Sequence, residues 1–222
     1  MGRAVFFDLD GTLINSVLDV HLCLSEVMEN AGRDRLSVKQ VTGLVGGGAR
    51  IMTEKALTMT GGINSAEEVE AIVADFLSLY AANPVRLTKP FPGAIELLEQ
   101  LQDQGLTLAI CTNKPRVTTD PVLDALDLER YFEMICCGNE VPHQKPDARH
   151  IEHMMTELSL DVSDVVMIGD SDNDLLAADG ANLRSIMVSF GYDANLKDHP
   201  ALDIMIDGLT EVPAKLDEVW GP

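Results

Sequence analysis

Short runs of consecutive apolar, often β-branched residues alternate along the chain with stretches whose apolar positions recur at helical spacing. The runs Ala4–Leu9, Thr107–Cys111, Met134–Cys137, Val165–Ile168 and Ser185–Val188 predict strands, and Ile204–Ile206 a weaker one. Between them the pattern predicts helices over Gly93–Gln104, Arg116–Leu126, Asp147–Leu158 and Asn173–Gly180. Strands without alternation, separated by helices, predict an α/β fold with a doubly wound, mainly parallel sheet covered on both faces. Ligands of such folds bind at the carboxyl ends of the strands.

One region breaks the alternation. From Asn15 to about Pro84 the signals are helical and no good strand is seen. Val17, Val20, Leu24, Val27 and Met28 share a helix face behind Ser16, a candidate N-cap. Ser65 and Glu68 have the spacing of a capping box ahead of the stripe Val69, Ile72, Val73, Phe76, Leu77 and Tyr80. The expectation is a discontinuous catalytic core, 1–14 and 85–222, with an all-helical cap domain of residues 15–84 inserted. Such a cap would cover the end of the first strand.

Four polar motifs end or follow the strand-like runs: Asp8-Leu-Asp10-Gly11-Thr12, Cys111-Thr112-Asn113-Lys114, Lys145-Pro146-Asp147, and Gly169-Asp170-Ser-Asp172-Asn-Asp174. Each predicted strand delivers its polar groups to one rim of the sheet. Two aspartates one residue apart at the end of an interior strand repel unless a partner neutralises them, and carboxylate oxygens suit a hard cation such as Mg²⁺. Asp8 and Asp170 offer two oxygens and the Asp10 backbone carbonyl a third. Lys145 adds positive charge, and the Thr112 hydroxyl with neighbouring groups, Asn113 among them, can hold phosphate oxygens. Such a cage serves phosphoryl transfer. In it Asp8 is the nucleophile, forming an aspartyl-phosphate, and Asp10 the general acid and base. Asp172 reads as a solvated or capping residue.

These motifs, in this order, resemble the haloacid dehalogenase superfamily of phosphotransferases over essentially the whole chain. With "LVGGGAR", "FPGAIELLEQL", "CTNKP", "LDLERYFEMICCGNEVP" and "IGDSDND", the chain is similar to the phosphoglycolate phosphatases. The resemblance implies a Rossmann-like core, a helical cap, Mg²⁺ dependence and a phosphoaspartate. It implies Asp8 as nucleophile, Asp10 as acid/base, Thr112 and Lys145 as phosphate binders, Asp170 as metal ligand, and Asp174 as a ligand directly or through water. The implied substrate is a small anionic phosphate monoester, 2-phosphoglycolate first. Asn15 stands where the family often has Asp, and Ala148 where proline commonly follows Lys-Pro-Asp. Within the cap, Gly46-Gly47-Gly48 reads equally as a flexible turn or as a loop approaching the substrate, with Arg50 as a carboxylate clamp. A sugar phosphomutase or sugar-phosphate phosphatase would use the same acids. A signalling receiver domain also combines acids, a lysine and Mg²⁺, although Asp10 and the helical insert are foreign to it.

Composition narrows the partners. Of 222 residues 46% are hydrophobic, which suits a packed core rather than disorder. A formal charge of −20 disfavours nucleic acid and anionic membranes, yet leaves room for a positive pocket. No apolar run is long enough to span a bilayer and no secretory leader is recognisable, so a cytoplasmic location is expected. Cys23, Cys111, Cys136 and Cys137 read as buried reduced thiols, and His150 and His153 as exposed helix residues. Oligomeric state is left open.

Overall fold

In a computed structural model, the structure describes residues 2–193 and 196–221. Strand β1 (Ala4–Phe7) leads through a tight turn into the short β2 (Ile14–Asn15). The helices α1 (Val17–Asn30), α2 (Val38–Thr42), α3 (Gly48–Met59) and α4 (Ala66–Ala82) follow, and then β3 (Lys89–Pro90). The alternating part runs α5 (Ala94–Asp103), β4 (Thr107–Thr112), α6 (Arg116–Ala125), β5 (Met134–Cys137), α7 (Arg149–Glu157), β6 (Val165–Gly169), α8 (Asp172–Gly180), β7 (Arg184–Val188), β8 (Ile204–Ile206) and α9 (Val212–Trp220).

The main sheet is ordered β5-β4-β1-β6-β7-β8 and every pairing in it is parallel. β1 is the central strand, in register with β4 (Ala4 opposite Thr107) and β6 (Ala4 opposite Val165). The strand order reverses direction here, and a doubly wound sheet opens its ligand crevice at that switch point. The period-two alternation of a strand explains the two apolar layers. Ala4 and Phe6 point to one face and pack with Ile151 and Met154 of α7 and Ala177 and Ala178 of α8. Val5 and Phe7 point to the other and pack with α5, α6 and α9 through Leu97, Leu101, Val122 and Leu216. That second layer runs on without a break into the inserted helices, taking in Leu24, Met28, Met52, Leu57 and Phe76. The helical cap is therefore packed onto one continuous core.

Several sequence expectations change in detail. The two crossings into and out of the cap are not strandless: Ile14–Asn15 pairs antiparallel with Lys89–Pro90, a ribbon too short to leave a periodic signal. Ser16 occupies the N-cap position of α1 but makes no capping bond with its side chain. Ser65 accepts from Glu68 N as expected, whereas the Glu68 carboxylate turns to Asn64 and Arg33 instead of closing the box. His150 is fully buried while His153 is exposed, because α7 turns His150 and Ile151 inward. Helix α9 packs against β7 and α5 and was not anticipated. All four cysteines are buried and unpaired. Burial holds the Cys23 and Cys137 thiols up to about 11, which keeps them protonated and inert.

Candidate active site

The turn after β1 builds the site. Asp8 is anchored through its backbone N–H to Ile168 O at 2.9 Å, and the chain folds back so that Leu13 N and Ile14 N both reach Leu9 O. Gly11 sits at φ +96° in this turn, and a Cβ there would lie 2.3 Å from an Asp170 carboxylate oxygen. Only glycine permits both the conformation and the approach. The first motif is thereby pressed against the fourth.

Asp8, Asp170 and Asp174 are buried, with one carboxylate oxygen from each lying within 4.8 Å of the others. Lys145 Nζ enters this group from the loop after β5. It donates to Asp8 Oδ1 at 2.9 Å, Asp174 Oδ1 at 2.5 Å and the Cys111 carbonyl at 2.5 Å. Asp170 accepts from Thr12 Oγ1 at 3.1 Å and from Tyr192 N at 2.7 Å. Asp174 Oδ2 accepts from Asp170 N, Ser171 N and Ser171 Oγ at the start of α8. One ammonium cannot neutralise three carboxylates. Burial, reinforced by Asp174, pushes Asp8 up to about 6 despite Lys145, and burial with Asp174 and Asp8 pushes Asp170 well above the ordinary range. Burial works against the charge of Lys145, yet Asp174 and Asp8 hold its pKa above the usual lysine value. A surplus of buried carboxylate oxygens at this spacing fits a hard divalent cation.

Asp10 lies beside this group in a different setting. Lys114 Nζ reaches both of its oxygens, at 3.1 and 3.0 Å, and also Tyr80 Oη of α4 at 3.0 Å. Ser16 Oγ donates to Asp10 Oδ1 at 2.5 Å. Above Asp8 and Asp10 is a small cavity of about 40 Å³ between core and cap. Its core wall carries Thr112, Asn113 and Lys114, and its cap wall Val20, Val45, Gly46, Gly48, Met52, Phe76 and Tyr80.

The structure brings Asp8, Asp10, Thr112, Lys145, Asp170 and Asp174 to one rim. Asn113 is there too, but its side-chain amide spans the Gly46 and Lys145 carbonyls, each at 2.8 Å, and is committed to holding loops together. Gly46 and Gly48 face the cavity, and Gln144 Nε2 donates to Gly47 O at 3.1 Å, so the glycine segment docks against the core. Arg50 does not line the cavity: it is exposed and paired with Glu54 at 3.2 Å and with Glu70. Its expected clamp position is not realised, since α3 turns that face outward. Asp172 is exposed at the first turn of α8, and His143 is 3.8 Å from Asp147, outside the cavity. Sequence reasoning assigned no role at the site to Lys114, Tyr80, Thr12 or Tyr192, and read Ser16 only as an N-cap. A lysine two residues after Thr112 at a strand end was the available signal for Lys114. Tyr80 read as part of an apolar stripe.

An α/β sheet with a buried aspartate at its switch point, a second acid two residues on, and a lysine among further carboxylates is the arrangement of a phosphoric monoester hydrolase. The sequence profile of the haloacid dehalogenase-like hydrolases matches residues 5–188, and the chain belongs to this family. A phosphoglycolate phosphatase of Agrobacterium fabrum is 37% identical over 96% of this chain and 91% of its own. One of Caulobacter vibrioides is 35% identical over 96% and 90%. A crystal structure from Haemophilus somnus, described as a predicted phosphoglycolate phosphatase, superposes with a TM-score of 0.91 at 25% identity, covering 97% of this chain and 98% of that one. The chain is a phosphoric monoester hydrolase of the phosphoglycolate phosphatase group, which removes the receiver-domain alternative. Among the described residues no helix is long and apolar enough to cross a membrane.

Proposed function

We propose that this enzyme hydrolyses 2-phosphoglycolate to glycolate and phosphate, with Mg²⁺, through a phosphoaspartate on Asp8. The observation that carries the reading is the surplus of buried carboxylate at Asp8, Asp170 and Asp174 around a single lysine. A Mg²⁺ held by Asp8, Asp170, Asp174 and the Asp10 carbonyl would offset that surplus and neutralise charge on the phosphoryl group. Lys145 and the Thr112 hydroxyl then bind phosphoryl oxygens. An Asp8 oxygen forms its bond to phosphorus as the ester P–O bond breaks, and Asp10 gives a proton to the departing alkoxide. Asp10 next takes a proton from water as that water attacks phosphorus, which frees Asp8.

The cavity supports a small, anionic substrate. It is small, its cap wall is largely apolar, and Lys114 faces it from the core wall beside Asp10. Arg50 is engaged by two glutamates, so the task of meeting the glycolate carboxylate falls to Lys114. The relatives named phosphoglycolate phosphatase support the same choice. The test is phosphate release from 2-phosphoglycolate, hexose 1- and 6-phosphates and p-nitrophenyl phosphate, with Mg²⁺ and with excess chelator. The expected result is a preference for 2-phosphoglycolate that chelator abolishes and Mg²⁺ restores. Interconversion of hexose phosphates without net phosphate release would assign a mutase instead. Full activity in chelator would overturn the metal role.

A further inference from the structure

Helix α1 starts without help from its own N-cap side chain. The first amides of a helix have no partner within it and ordinarily take one from a Ser, Thr, Asp or Asn side chain at the N-cap. Ser16 holds that position, but its hydroxyl is given to Asp10. The acceptor comes from the far end of the chain. Tyr192, in the turn after β7, places its phenolic oxygen 2.8 Å from Ser16 N and 3.1 Å from Val17 N, so it accepts from both. It also lies 3.4 Å from Ser16 Oγ.

The same residue touches the other carboxylate group. Tyr192 N donates to Asp170 Oδ2 at 2.7 Å. Gly191 makes this approach possible, since a Cβ there would stand 2.2 Å from Asp170 Cβ. Tyr192 is thus bonded through its backbone to Asp170 and through its side chain to the residue that holds Asp10. It also ties the first crossing between core and cap to the sheet rim.

We propose that Tyr192 is a positioning residue: its hydroxyl fixes the Ser16 backbone so that Ser16 Oγ presents Asp10 to the leaving-group oxygen. Ser16 is freed for this task because Tyr192 takes over the capping of α1. The proposal rests on the phosphatase reading above, and specifically on Asp10 as the proton donor. It predicts a defect in protonating the leaving group, since Asp10 loses its orientation and keeps its Lys114 contact.

Tyr192→Phe removes one oxygen and keeps the ring and the backbone N–H to Asp170. It should lower kcat for an alkyl phosphate by roughly 10–100-fold, the scale of a misplaced reacting group. For p-nitrophenyl phosphate, whose leaving group needs little protonation, the loss should be several-fold smaller, with KM nearly unchanged for both. Ser16→Ala should give the same selective loss, and the double variant no more than the larger single one, because both act on one step. Ser16→Thr should retain most of the rate. Equal losses on the two substrates, or additive losses in the double variant, would overturn the proposal. If Tyr192→Phe does not fold, the substrate selectivity of Ser16→Ala decides: an unselective loss overturns the proposal. The alkyl ester is whichever one the wild type cleaves fastest, so a wrong assignment of 2-phosphoglycolate leaves the test intact. A wild type that cleaves neither ester class would overturn both readings together.

Discussion

Two buried acid–base groups share the rim of the sheet, and they differ in charge balance. Around Asp8 three carboxylates meet one lysine, Lys145, and burial with mutual repulsion drives Asp8 up to about 6 and raises Asp170 well above the ordinary carboxylate range. Around Asp10 one carboxylate meets one lysine, Lys114, and hydroxyls from Ser16 and Tyr80 complete the shell. The first group is incomplete as protein alone. Its surplus oxygens suit something positive brought from outside, and that imbalance would favour binding of a cation. The second group is neutral within itself, so its chemistry depends on where its atoms are held. One half of the site is built on charge and the other on geometry.

The comparison breaks most severely at Asp8. Asp8→Asn leaves a residue of the same shape that cannot attack phosphorus, and turnover should fall by more than about 10⁴-fold with the fold retained. Phosphate release by protein with an unchanged circular dichroism spectrum checks this, and appreciable turnover would remove Asp8 as the nucleophile. Asp10→Asn should cost on the order of 10²–10⁴ in kcat. With p-nitrophenyl phosphate the first step needs little acid, so a burst of nitrophenol near one equivalent should appear as water attack becomes limiting. Equal losses on good and poor leaving groups, with no burst, would assign Asp10 to positioning alone.

Lys114→Met sharpens the contrast at the second group. Both substrates lose rate because Asp10 is left without its partner. Only 2-phosphoglycolate should in addition show a rise in KM, roughly 10–100-fold, as a hydrogen bond to a charged group is lost. Ethyl phosphate, which has no carboxylate, is the control: an equal rise for both would exclude Lys114 from carboxylate binding.

The smallest effect concerns His150, a buried titratable group with neither a lysine nor a carboxylate bonded to it. Among the described residues its ring nitrogens make no hydrogen bond of good geometry, and burial, with the nearby charge of Lys145, lowers its pKa to about 4 against a weaker pull from the Cys136 backbone. The unfolded chain, with an ordinary pKa of about 6.5, binds the proton more readily. Stability must therefore fall as pH drops from 6.5 towards 4, by about 2 kcal/mol at pH 5 from this group. Urea unfolding at pH 7 and pH 5 should show that loss in the wild type and a shallower one in His150→Leu. Identical pH dependence in the two proteins would mean that the imidazole is already protonated in the native state.

The sheet was legible because its evidence is local. A run such as Val165–Ile168 is apolar throughout because a central parallel strand is buried on both faces, and no distant residue is needed to read it. The rim acids were legible for the same reason, since Asp8 and Asp10 follow one strand-like run and Asp170 and Asp174 another. The ribbon of β2 and β3 was not, because two residues per strand carry no period. The outward turn of Arg50 depends on how α3 packs, and the inward turn of His150 on how α7 lies against the sheet.

Residue type and spacing by themselves determined the α/β order, the helical insert and the set of groups available at the strand ends. They could not determine which group meets which. Lys114 and Asp10 are 104 positions apart, Lys145 and Asp8 137, and Tyr192 and Ser16 176. Each pair is decided by which strands lie side by side and how the loops beyond them fold back. A serine ahead of an apolar helix reads as a cap because capping is the local use of its hydroxyl. Only the fold placed Asp10 within its reach and a tyrosine from the other end of the chain over the amides it left open.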